Sequence, residues 1–97
     1  MKKKIKNATG VRLNIFLRNG RVKSGLTQGQ VAKTLGYSTA QFISNWERGV
    51  AEPPITSLRQ LADIYSVPVD KMYDVALKSA IQKATDDLRT KFESKKK

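Results

Sequence analysis

The residues with the clearest chemistry stand between positions 40 and 49. Gln41 and Asn45 are four apart, one helical turn, and together with Ala40 and Ser44 they avoid the helical face that holds Ile43 and Trp46. A carboxamide can accept from the N6 amine of adenine while donating to N7, a bidentate match that reads one base pair. Gln41 is the best placed for it. Asn45, a turn further on, suits a neighbouring base or a phosphate. Ala40 and Ser44 are small enough for close approach, and the methyl of Ala40 fits that of thymine. Arg48 suits a phosphate or a guanine edge. The candidate base contacts are therefore Ala40, Gln41, Ser44 and Asn45.

Other chemistries are poorly served. The 97 residues contain neither cysteine nor histidine, which excludes a disulfide, a zinc finger and any Cys/His nucleophile–base pair. The acids scatter over helix surfaces, so no set of acid, base and nucleophile presents itself. No catalytic residue, metal ligand or cofactor is expected, and the chain is read as no enzyme.

Charge points the same way as the carboxamides. The net charge is +11, which favours a polyanionic partner or an anionic surface. It is unevenly spread: residues 1–50 carry ten Lys/Arg against the single acid Glu47, for +9, and residues 51–97 carry nine against seven, for +2. The basic excess lies on the half that carries the candidate contacts, as phosphate neutralisation requires. No apolar run reaches membrane-spanning length, and the lysines of the first six residues precede no signal-peptide segment. The expectation is one soluble cytoplasmic, nucleoid-associated domain without a membrane partner.

Residues 26–49 read as two short helices around a tight turn. Thr27 is placed to cap the first, and Val31, Ala32 and Leu35 form its apolar face. Gly36 sits where a helix end calls for positive φ. Ser38 and Thr39 can cap the second helix, Ile43 and Trp46 share its inner face, and Gly49 closes it. Val31, Ala32, Leu35, Ile43 and Trp46 are the expected core. Two such helices, with small and amide residues on the outer face of the second, make a helix-turn-helix whose second helix enters a major groove.

The segments Gly-Leu-Thr-Gln at 25–28, Val-Ala-Lys-Thr-Leu-Gly at 31–36 and Trp-Glu-Arg-Gly at 46–49 resemble the Cro/repressor-like (Xre) helix-turn-helix family, over roughly residues 11–74. The resemblance implies an all-α, compact five-helix lambda-repressor-like bundle. It implies a structural ion pair between Arg21 and Glu47, and a phosphate grip by Gln28. Thr27, Gln28, Lys33 and Arg48 are the candidate phosphate contacts, with Arg12 and Lys23 behind them. One departure stands out. Between Gly36 and Trp-Glu-Arg-Gly the chain counts one residue more than the family's usual form, and the extra residue is placed in the turn at 37–38. Counting back from Trp46 then sets Phe42 outward beside Gln41, where it could meet a thymine methyl; the other register would bury it.

The remaining segments serve as frame. Residues 1–9 form a basic leader, either a solvated tail or an arm laid along the duplex. A first helix is expected over 10–24, with Val11, Leu13, Phe16, Leu17 and Val22 inward and Gly20 marking a bend or a close crossing. The prolines at 53 and 54 open a helix with Ile55, Leu58, Leu61, Ala62 and Tyr65 on its core face. Asp70 is placed to cap the fifth, which carries Met72, Tyr73 and Val75. The helix-turn-helix domain is thus read as 10–75. Residues 76–97 form an amphipathic helical extension with a basic tail. Its stripe of Leu77, Ile81, Ala84 and Leu88 either folds back or, as preferred here, pairs with a second copy.

The function expected is that of a bacterial or phage transcriptional regulator, a repressor occluding polymerase as a homodimer on double-stranded DNA. The alternative is an antitoxin-like or adaptor protein that binds a protein partner through its last helix and autoregulates by DNA binding. An RNA binder or nonspecific nucleoid binder is a third, weaker expectation, to be recognised by weak sequence dependence and a steep salt slope.

Overall fold

The computed structural model describes residues 12–95, all helix and connecting turn without a strand among them. Five helices follow in order: α1 Leu13–Lys23, α2 Gln28–Leu35, α3 Gln41–Arg48, α4 Ile55–Ile64 and α5 Val69–Lys95. The leader, Val11 and the last two lysines lie outside the described residues. No described helix is long and apolar enough to cross a membrane.

Local chemistry sets the helix ends. Thr27 heads α2 in a capping box. Its Oγ1 accepts from the Gln30 N–H at 3.0 Å, and Gln30 Oε1 accepts from the Thr27 N–H at 2.8 Å, so two otherwise orphaned donors are satisfied reciprocally. Gly36 and Gly49 close α2 and α3 at φ of 90° and 77°, a region a residue with a Cβ enters only at a cost. At the start of α3 the cap is weaker than expected. Ala40 holds the capping position, and the Thr39 hydroxyl accepts from the Gln41 N–H at 3.2 Å. Asp70 does not cap α5 but sits within its first turn, where its charge still complements the helix dipole.

The core joins every helix. Leu13 and Leu17 from α1, Val31 and Ala32 from α2, Ile43 and Trp46 from α3, Leu58, Leu61 and Ala62 from α4, then Tyr65, and Met72 and Val75 from α5 are buried in one cluster. Leu35 is a partial departure, half-buried at the rim of that cluster. Val22 and Ile55 are corrections, for both are exposed. Each lies at a helix end where no neighbouring element covers its side.

Gly20 marks a close approach. A Cβ there would stand 2.9 Å from Tyr65 Cδ2, so the Tyr65 ring occupies the space that a side chain would otherwise fill. Helix α5 continues without a break through positions 75 and 76. Its inner face passes from Met72 and Val75 to Ser79, Gln82 and Asp86, all partly buried. Ser79 Oγ accepts the backbone N–H of Leu13 at 3.1 Å, satisfying a donor at the start of α1. Asp86 accepts from Arg12 at 3.3 Å and from Gln82 at 3.0 Å.

Candidate nucleic-acid interface

Helix α3 divides cleanly around its axis. Ile43, Trp46 and Glu47 are buried, while Gln41, Ser44, Asn45 and Arg48 form a polar strip on the opposite side. The strip is internally bonded. Asn45 Oδ1 accepts from Gln41 Nε2 at 2.9 Å and from Arg48 Nη2 at 2.6 Å, and Ser44 Oγ accepts from Arg48 Nε at 3.1 Å. These bonds hold the side chains in a shared orientation but leave edge capacity. Gln41 Oε1 and the second hydrogen on its Nε2 are uncommitted in this network, as are both hydrogens of Asn45 Nδ2. Ala40, half-buried, stands at the head of the strip. A shallow groove lined by Gln28, Thr39, Ala40, Gln41 and Ser44 runs between the two motif helices.

Glu47 fastens the motif from behind. Its carboxylate accepts from Arg21 Nε at 2.7 Å, Arg21 Nη2 at 3.0 Å and Gln28 Nε2 at 3.0 Å. The two-pronged Arg21 contact is the strong geometry for a guanidinium and a carboxylate. Arg21 spends a further N–H on the Leu26 carbonyl at 2.9 Å, and Asn14 Nδ2 donates to the Glu47 carbonyl at 3.2 Å. One residue thereby ties α1, α2 and α3 together. Glu47 is only 7% exposed, and a carboxylate so placed requires this degree of compensation. The Arg21 pKa is raised, first by its hydrogen bond to Glu47. Burial pushes the Tyr65 phenol well above its ordinary range, and the Glu47 charge adds to the effect.

The sequence-predicted residues fall into three places. Ala40, Gln41, Ser44, Asn45 and Arg48 meet on α3, with Gln28 and Thr27 across the groove at the head of α2. The Gln28 carboxamide is already bonded to Glu47 through one Nε2 hydrogen, leaving the other for an anion. Lys33 is exposed on α2, and its side chain makes no hydrogen bond or ion pair among the described residues. Leu77, Ile81, Ala84 and Leu88 lie apart on the outer side of α5. Phe42 is exposed and Trp46 buried, the register obtained by counting back from Trp46.

Three contributions escaped sequence reasoning. Asn14 carried no motif, and its bond needs the α1–α3 crossing to exist first. The Gln28–Glu47 bond joins residues far apart in the chain. The polar continuation of α5 had a signal, since Ser79, Gln82 and Asp86 extend the three-four spacing of Met72 and Val75, but polar residues do not register in an apolar count.

A family model for the helix-turn-helix matches residues 17–72, which spans all of α2, α3 and α4. The chain belongs to the Cro/C1-type helix-turn-helix family. Comparison with the curated proteins finds no match. As a member of this family the chain is a DNA-binding regulator whose partner is double-stranded DNA. The helix-turn-helix match begins within α1 and ends within the first turn of α5, so most of α5 lies beyond it.

Proposed function

We propose that this protein is a sequence-specific transcriptional repressor that binds an inverted-repeat operator as a homodimer and blocks polymerase there. The observation that carries it is the polar strip of exposed Gln41 and Arg48 and half-buried Ser44 and Asn45, on one side of a helix whose other side is buried. In this reading α3 lies in the major groove. Gln41 and Asn45 read base edges, Ala40 and Ser44 allow close approach, and Arg48 takes a phosphate or a guanine. Gln28 and Thr27 hold the backbone at the head of α2, where the helix dipole favours anions, and Lys33, in the last turn of the same helix, adds a further phosphate contact.

The test is selection of bound DNA from a random pool, followed by titration of the winner and a scrambled duplex at several salt concentrations. The expected result is an inverted repeat whose preference over the scrambled duplex collapses in Gln41→Ala while the salt slope persists. A pool with no enriched sequence would sink specific regulation.

The outer side of α5 supports a second reading. Leu77, Ile81 and Leu88 are 61%, 57% and 67% exposed, a row that a second copy or a protein partner could cover. The homodimer is preferred because an inverted repeat needs two copies of the motif. A chain that sediments as a monomer and acquires a dimeric form only with a foreign protein would favour the adaptor reading.

A further inference from the structure

Phe42 is a large aromatic residue left 51% exposed on the short helix α3. It is not loose. Its ring centroid lies 4.7 Å from that of Tyr37 and 6.5 Å from that of Trp46, and Tyr37 in turn meets Trp46 edge-on at 6.0 Å. The turn between α2 and α3 supplies Tyr37, whose backbone N–H is fixed to the Ala32 carbonyl at 2.9 Å. The outer ring is therefore propped on a half-buried ring that rests on a buried one.

Its position around α3 gives this a use. On the helical projection Phe42 falls between buried Trp46 and the strip residue Asn45, next in sequence to Gln41. The strip itself offers hydrogen-bond donors and acceptors. The C5 methyl of thymine is the one apolar feature that a base pair presents in the major groove, and the strip offers only the small methyl of Ala40, at the helix head, to match it.

We propose that Phe42, buttressed by Tyr37, is a specificity-determining residue that packs on the C5 methyl of a thymine beside the base pair read by Gln41. This rests on the operator-binding reading above. Covering one methyl group removes about one carbon's worth of apolar surface from water, which corresponds to about fourfold in affinity. The same arrangement would serve only to staple the turn if no methyl met the ring, and the experiment separates the two.

In the selected operator, each thymine is replaced singly by deoxyuracil, which removes the methyl and nothing else, and the wild-type chain is titrated on each duplex. One thymine per half-site is expected to show about a fourfold loss, and that loss is expected to vanish in Phe42→Ala. Wild-type protein is also irradiated on an operator carrying 5-iododeoxyuridine at the sensitive position. The crosslink is expected on Phe42. Uniform indifference to uracil, a sensitivity that survives Phe42→Ala, or a crosslink elsewhere on α3 overturns the assignment. The crosslink uses the unaltered chain, so a misfolded variant does not blunt the test. Failure to select any operator would overturn the underlying reading, whereas a selected operator blind to the methyl overturns this inference alone.

Discussion

At the scale of single residues, Glu47 matters more than its position inside a recognition motif suggests. It is the acid nearest the proposed duplex, and three hydrogen bonds from Arg21 and Gln28 hold it. Removing one partner of a buried pair leaves the other charge uncompensated, so Glu47→Gln should destabilise the fold by about 3 kcal/mol. Urea denaturation checks this, and a loss below about 1 kcal/mol would place the pair with ordinary surface ion pairs. The phenol of Tyr65 gives a pH dependence. Its pKa is raised in the folded state, so the folded chain holds that proton where the unfolded chain has lost it. The contribution is complete below the unfolded tyrosine value of about 10 and declines as pH rises beyond it. Stability should therefore fall above that pH, and less steeply in Tyr65→Phe, as thermal melts across the alkaline range would show. A spectrophotometric titration should also find a tyrosine that ionises above the ordinary tyrosine range and is lost in Tyr65→Phe.

At the scale of helices, the closest packing is where a side chain is missing. Alanine in place of Gly20 gains about 1 kcal/mol in helix propensity, but its Cβ would stand 2.9 Å from Tyr65 Cδ2. A ring buried in the core has little room to yield, so overpacking should win and Gly20→Ala should be net destabilising by about 1 kcal/mol. A stabilised variant in the same denaturation assay would mean the ring has slack. This is also where the limits of reading the chain are plainest. The two motif helices were legible because caps, glycines and three-four apolar spacing are local signals, and Thr27, Gly36 and Gly49 behave accordingly. Gly20 announced a close crossing without naming Tyr65, because their meeting depends on how α4 ends. Val22 and Ile55 are apolar yet exposed, and periodicity cannot tell which end of a helix a neighbour covers. The strip on α3 was readable as a pattern. Its internal bonds, and the tie from Gln28 to Glu47, were not, because rotamers and long-range contacts decide them.

For the whole molecule, the question is how two reading heads would be coupled. Aspartate at Ile81 and Leu88 alters exposed positions, which ordinarily changes monomer stability by less than about 0.5 kcal/mol. In the dimer it would bury charge against charge. The double variant should sediment as a monomer and bind the full operator at least about tenfold more weakly, with unchanged affinity for a duplex carrying one half-site. A variant that stays dimeric would remove the stripe from the interface. The uninterrupted α5 adds something further. It begins in the core of the DNA-binding unit, is bonded to the start of α1 through Ser79 and Asp86, and runs on for 27 residues in all, about 40 Å. A subunit contact made on its outer side is thus carried on a stiff strut instead of a tether. In the proposed dimer, two heads joined by such struts would keep a set separation, so the operator's spacer would be measured mechanically. Lengthening it by a base pair rotates one half-site by about a tenth of a turn, and a strut, unlike a tether, cannot follow.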